Sequence, residues 1–192
     1  MALQKRQRGE LEFDELEYLS EIKMIEIRPK FKMDRLQLSS GAIGPFKPPF
    51  RSKVPLGLAL VLKSKNKCSI VPPEWLSIES LKKRLAEERE EPTFSKMNEN
   101  FMEISKMLLD KASDDIKESN IIRNLLKEIQ EQRQSKIRKG IEAINDSHLQ
   151  MDNLTRFEVN LIKPVFKKGF QLLNHIQKAP PSPPGMDSTN NQ

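Results

Sequence analysis

The sequence predicts a mainly α protein, with a small N-terminal α+β, β-rich domain followed by a C-terminal helical bundle domain, and three features carry that expectation. Of 13 prolines, eight fall between Pro29 and Pro92 and four in the last 13 residues, leaving Thr93 to Ala179 with Pro164 alone. Proline lacks a backbone donor and clashes inside helices, so its scarcity there favours long helices and its earlier density favours short strands and turns. The apolar spacing also changes, from short runs bounded by turn residues to a helical period after Trp75. Between the two lies Lys67-Cys68-Ser69-Ile70-Val71-Pro72-Pro73-Glu74-Trp75-Leu76. The double proline ends a strand and holds the chain extended, so the only tryptophan is aimed at a fixed place, suited to locking one unit against another.

In chain order, residues 1–10 read as a flexible basic N-terminus (Lys5, Arg6, Arg8) and 11–76 as the β-rich domain. Ile22 to Ile27 and Arg35 to Leu38 are strand-like, and Ser39 to Phe46 is rich in turn residues. Leu56 to Leu62 fits either a buried strand or one face of a short helix, with Pro55 compatible with a first helical turn. Residues 77–92 form a connecting helix. Ser77 caps it, Pro92 closes it, and Lys82, Lys83, Arg84, Glu87, Glu88 and Arg89 give it a solvated character.

Residues 93–178 form the helical domain. Asn98 opens a helix whose inward stripe is Phe101, Ile104, Met107 and Leu108, ending near Ala112-Ser113-Asp114-Asp115. A longer helix follows from Ser119 to about Asn145, over 25 residues or roughly 38 Å, too long for a domain of this size to cover fully. Its apolar line is Ile122, Leu125, Leu126, Ile129, Ile137, Ile141 and Ile144, and Arg133 falls on that line. An arginine there must find a carboxylate, reach solvent, or lie in an interface with another chain. Thr155 and Glu158 have the spacing of a capping box at the start of the last helix, a structural signal. Phe157, Leu161, Val165, Phe166, Phe170, Leu173 and Ile176 supply its apolar faces, and Pro164 should kink or offset it. Residues 179–192, rich in Pro, Ser and Asn, are expected to be a disordered tail.

Composition narrows the function. The chain is 36% hydrophobic and 31% charged, with no apolar run long enough for a membrane helix and no signal-peptide core, so an intracellular protein without a membrane role is expected. The net charge of +6 is uneven: residues 1–78 carry 14 basic against 9 acidic side chains, residues 79–192 carry 19 against 18. That front-end excess is modest and suits first a solubilising surface, and second a nucleic acid or acidic partner. There is no phosphate-binding loop of the GK[ST] type and no G-x-G-x-x-G. His148 and His175 are distant from each other and from the single Cys68, which leaves no zinc ligand set and no nucleophile with its base. The many carboxylates alternate with Lys and Arg as solvated helix faces do. No catalytic, cofactor-binding or metal-ligating residue is expected, and no enzyme activity.

Four elements occur together in a recognisable order: Gly44-Pro45-Phe46-Lys47-Pro48, Val54-Pro55-Leu56, the KC-x-x-x-PPEW element at 67–75, and the DNLT-x-x-E-x-N element at 152–160. Over roughly Leu16 to Ile176 the chain resembles the second Psf-type subunit of the eukaryotic GINS complex, with Ala112 to Ile116 and Arg133-x-x-Lys136 as supporting pieces. It departs from that pattern at Gly57, where a bulky aromatic is expected, and at Gln130, where some relatives carry Trp. The resemblance implies a β-rich domain ahead of a helical one, and a nuclear heterotetramer with three other GINS subunits. It also implies association with the MCM helicase ring and a Cdc-type recruitment factor, the ATP chemistry belonging to the ring and DNA being met mainly indirectly.

Two functions follow. In the first, the chain is a non-catalytic scaffold whose contacts are Arg123, Leu126, Ile129, Arg133 and Ile137 on the long helix, with Trp75 joining the domains. In the second, it is a basic nucleic-acid-binding adaptor acting on DNA through Lys5, Arg6, Arg8 and the loop around Lys47, Arg51, Lys53, Lys63, Lys65 and Lys67, with Phe46 and Phe50 as the nearby aromatics.

Overall fold

The computed structural model describes residues 13–38, 41–142 and 152–177. The expected basic N-terminus, Ile144, His148 and the tail at 179–192 lie outside these residues, as do the side chains of Phe170, Leu173, His175 and Ile176. The described residues open with helix α1 (Phe13–Glu21), so the expected first strand begins later, as β1 (Met24–Pro29). Strands β2 (Leu36–Leu38) and β3 (Gly41–Ile43) form a two-stranded ribbon. Strand β4 (Ser52–Pro55), helix α2 (Leu56–Ser64) and strand β5 (Cys68–Val71) complete the N-terminal part.

The main sheet is antiparallel in the order β4-β1-β5, with Ile25 opposite Val54 and Ile27 opposite Ile70. Its inner face is made by alternation: Ile25, Ile27, Val54, Cys68 and Ile70 are buried. Phe46, from the Gly-Pro-Phe turn, is buried as well, tilted against Phe31 with ring centroids 5.3 Å apart.

The ambiguous segment after Pro55 is a helix. Leu56, Ala59, Leu60 and Lys63 of α2 are its buried residues, spaced i, i+3, i+4 and i+7, a pattern that a strand would split between two faces. Gly57 has a local reason. A Cβ there would stand 3.2 Å from the Glu21 Cβ at the end of α1, so α1 crosses α2 closely and a side chain at 57 would have to push Glu21 back by a few tenths of an ångström.

A 3-10 turn (Glu74–Leu76) carries Trp75 into α3 (Ile78–Glu90), whose N-cap Ser77 accepts a bond from the Ser80 amide at 3.3 Å. The expected solvated connector is in fact a core helix. Leu81, Leu85 and Glu88 are buried at i, i+4 and i+7, and α3 packs along α5, while Lys82, Lys83 and Arg89 are exposed. Helix α4 (Phe101–Lys111) buries Phe101, Ile104, Met107 and Leu108, and begins after Asn100 with Asn98 bonding the Asn100 amide at 2.9 Å. After a 3-10 turn (Ser113–Asp115) come α5 (Ser119–Glu142) and α6 (Arg156–Gln177), the latter continuing through Pro164. One connected apolar core runs from Ile25 and Ile27 in the sheet, through Leu76 and Phe101, to Ile129 on α5.

Candidate interaction surface and the charge network beneath it

Among the described residues Arg133 is the largest side chain that is fully enclosed, 2% exposed. Its guanidinium donates Nε to Glu158 Oε1 at 2.6 Å and Nη2 to Glu158 Oε2 at 2.8 Å, a two-pronged grip, while Nη1 donates to Glu88 Oε1. Backbone acceptors complete the fork: Ser95 O at 3.2 Å and Asn153 O at 2.9 Å. Its guanidinium carbon also lies over the Phe94 ring, 5.0 Å from the centroid. Glu88 is in turn held by Lys136 at 2.6 Å and by the Ser95 amide and hydroxyl at 3.0 and 2.7 Å. One network therefore ties together α3, the 92–100 segment, α5 and the start of α6.

The ionisation of these groups follows from their surroundings. Burial by itself would push the Glu88 carboxyl up, but Lys136, Ser95 and Arg133 outweigh it and hold the group below the usual carboxylate range. For Arg133 burial works against the charge, and Glu158 and Glu88 more than offset it, so the guanidinium is held more firmly protonated than usual. The capping box at Thr155 is real: Glu158 Oε2 accepts from the Thr155 amide at 2.8 Å, and Thr155 Oγ1 accepts from the Glu158 amide at 3.4 Å. The same carboxylate thus caps α6 and binds Arg133.

A second joint links the sheet to the helices. Lys63 donates to Asp114 at 2.6 Å and lies 2.8 Å from Asp115, whose Oδ2 also accepts the Ile70 amide of β5 at 2.7 Å. Burial opposes the Lys63 charge, yet the two aspartates raise its pKa overall. Lys63 is therefore buried and committed, and leaves the basic set expected to meet DNA. Asn100 donates to the Ser20 hydroxyl at 3.0 Å, and Trp75 packs on Phe101 with ring centroids 5.2 Å apart.

Of the six residues expected as contacts, Leu126, Ile129, Arg133 and Ile137 are buried within this chain. This corrects the expectation that they face a partner: α3 packs along α5, and Glu88, Phe94 and Glu158 close over Arg133. Trp75 is half-buried at the joint, and Arg123 is exposed, reaching the Leu109 carbonyl and, at 3.3 Å, Asp110. Exposed apolar side chains are scattered over the N-terminal part (Tyr18, Ile22, Met24, Phe50, Val61) and on α5 at Ile121, while α6 gathers three of them, Val159, Leu161 and Val165, at 41%, 47% and 51% exposure. At 100° per residue Leu161 and Val165 lie on one flank of the buried Glu158–Ile162 line and Val159 on the other. The apolar arc of α6 is thus wider than the strip its own chain covers.

The network's acids were not among the expected site residues. Glu88 has a sequence signal: it stands on the Leu81–Leu85 line of α3, the mirror case of Arg133 on its own apolar line. Glu103 on α4 has none, being 5% exposed with neither carboxylate oxygen bonded. Burial pushes its carboxyl up. Cys68 is buried against the Ala59 carbonyl, and burial pushes its thiol up too, the opposite of an activated nucleophile. Among the described residues no three His, Cys, Asp or Glu are grouped to hold a metal, and no helix is long and apolar enough to cross a membrane.

Comparison with known proteins matches the two parts of the chain separately. Residues 12–71 fit the family model of the PSF2 N-terminal domain, and residues 75–177 that of the GINS complex protein helical bundle domain. The chain is 42% identical over 163 residues to the DNA replication complex GINS protein psf2 of Schizosaccharomyces pombe, covering 85% of this chain and 89% of that one. To the DNA replication complex GINS protein PSF2 of Homo sapiens it is 37% identical over 182 residues, 93% of this chain and 97% of the relative. The Xenopus laevis protein of that name is 37% identical over 172 residues, 88% and 91% of the two chains.

Proposed function

This chain belongs to the PSF2 family of GINS proteins, and we propose that it is a non-catalytic scaffold subunit of the GINS heterotetramer in DNA replication. In that reading it assembles in the nucleus with three other GINS subunits. Together they brace the MCM helicase ring with the Cdc-type recruitment factor during initiation and fork progression. The observation that carries the proposal is the exposed apolar residues of α6, Leu161 and Val165 on one flank of its buried line and Val159 on the other. A helix that leaves such positions in water, on a chain whose buried Arg133, Glu88 and Glu158 are spent on holding its own segments together, is built to be covered by another chain. Arg123 is the one residue of the expected α5 set still open to a partner.

The test is light scattering after size-exclusion chromatography, on the chain co-expressed with the three other GINS subunits. One particle holding a single copy of each is expected. Leu161→Glu with Val165→Glu should weaken incorporation by at least about a hundredfold, from roughly 1.5 kcal/mol per buried aliphatic side chain. A folded wild-type monomer that ignores those partners would overturn the proposal.

A further inference from the structure

The pleat of the main sheet sorts its side chains, and one face gathers positive charge. Ile25, Ile27, Val54 and Ile70 are buried on the inner side, so Arg28 of β1 and Lys53 of β4 stand on the outer side, both exposed. Lys30 and Lys67 extend the same ladder, the Lys30 amide donating to the Lys67 carbonyl at 2.8 Å, and both side chains are exposed. Arg51, just before β4, reaches across to Glu26 at 3.2 Å. Glu26 is the only carboxylate that the alternation of β1 puts there. Positions two apart on a strand are about 6.6 Å from each other and neighbouring strands about 4.8 Å apart, so these five cations form one compact field. At its edge, Phe50 closes the turn from Lys47 and is 71% exposed.

We propose that this sheet face binds single-stranded DNA, with Arg28, Lys30, Arg51, Lys53 and Lys67 on the phosphates and Phe50 stacking on a base. A basic field with an open aromatic at its border is the combination that holds single strands without reading sequence. An acidic peptide laid on a sheet needs pockets for alternate side chains. Here the rest of the face is Met24, Pro55, Ser69 and Val71, at the pleat positions between the cations. A duplex is read by an element that enters a groove, and a flat sheet face offers none. The inference stands on the register of the sheet and does not depend on the scaffold reading.

The experiment is fluorescence polarisation of a labelled oligo(dT) of about 16 nucleotides, the upper site size of a single small fold, with the full chain in its GINS assembly across a salt series. If four phosphates are neutralised net of Glu26, the slope of log K against log salt is about −3, at −0.7 per phosphate. Arg28→Glu with Lys53→Glu leaves three cations against three carboxylates, so it should lower affinity more than tenfold at low salt and flatten the slope by about 2.8, to near zero, while Arg28→Lys with Lys53→Arg preserves both. Phe50→Ala should lower affinity about fivefold or more at unchanged slope. Circular dichroism and co-assembly of each variant report its folding separately. Wild type that does not bind, or charge reversal that leaves binding unchanged in a folded variant, overturns the proposal. So does equal affinity for a duplex of the same length, or tighter binding of polyglutamate.

Discussion

Replacing Arg133 with methionine removes the centre of the buried network while keeping an unbranched side chain on the apolar line of α5. The structure sets the size of the effect. The fork leaves behind two carboxylates of which Glu88 is fully buried and Glu158 nearly so. Removing one partner of a buried ion pair costs about 3–5 kcal/mol, because the surviving charge stays desolvated. Glu88 keeps Lys136 and Ser95, and Glu158 keeps Thr155, which puts Arg133→Met toward the lower end of that range. In a chain of this size each kcal/mol moves the melting temperature by about 2–4 °C, so a fall of roughly 6–12 °C is expected. Urea and thermal unfolding, followed by circular dichroism and by the fluorescence of Trp75, report it directly, since Trp75 is the only tryptophan.

The triple variant Glu88→Gln, Arg133→Met, Glu158→Gln separates charge desolvation from lost packing. With both carboxylates neutralised, and Lys136 still donating to the Thr93 carbonyl at 2.7 Å, it should recover at least half of the loss, as buried ion groups replaced together are often neutral in cost. An Arg133→Met midpoint within about 0.5 kcal/mol of the parent, the range of ordinary surface substitutions, would refute the argument. So would a triple variant no more stable than the single one.

Two further outcomes test the buried Glu103 and the half-buried Asp115. Glu103 has a raised folded pKa, so the folded state binds the extra proton. Its contribution is complete below the ordinary carboxylate value of about 4.3 and is lost as pH rises through the folded value. Glu103→Gln should therefore raise the unfolding midpoint at pH 7 and change it little at pH 4; Glu88, with its lowered pKa, has the opposite sign, its stabilisation being lost as pH falls. A Glu103→Gln gain that is the same at both pH values would contradict the burial argument. Asp115→Ala should cost about 1–3 kcal/mol by orphaning the Ile70 amide, with faster hydrogen exchange at that amide; unchanged exchange there would show that the joint is held by other contacts.

Much of the fold was legible because it rests on local patterns. Ser77, the Thr155–Glu158 box, Pro92 and the period of α4 and α5 each act within a turn or two of the chain, which is the range that sequence spacing describes. What could not be read is which faces are already occupied. Leu126, Ile129 and Ile137 carry the same signature whether a sister helix or a partner covers them, and the cover proved to be the protein itself. Helix α3 departs from the solvated connector its composition suggests for a related reason. Its exposed Lys and Glu residues outnumber Leu81 and Leu85, although three positions on one face are enough to pack it. Lys63 illustrates the reverse case, a basic residue that composition assigns to the surface and that Asp114 and Asp115, distant in sequence, draw inside.

The burial of Arg133 also changes what its mutation means. As a surface contact it would affect assembly by losing a bond to a partner, leaving the isolated chain intact. As the clamp between Glu88 on α3 and Glu158 at the start of α6, it instead fixes where α6 begins, and with it where Val159, Leu161 and Val165 are presented. A polar clamp suits this because its geometry is directional: an apolar contact tolerates a slide along the helix, whereas a two-pronged guanidinium grip on a capping carboxylate does not. Arg133→Met should then impair assembly and destabilise the isolated chain together, while Leu161→Glu should impair assembly and leave the chain's own melting within the range of surface substitutions. Measuring both quantities on both variants separates a residue that touches a partner from one that positions the surface which does.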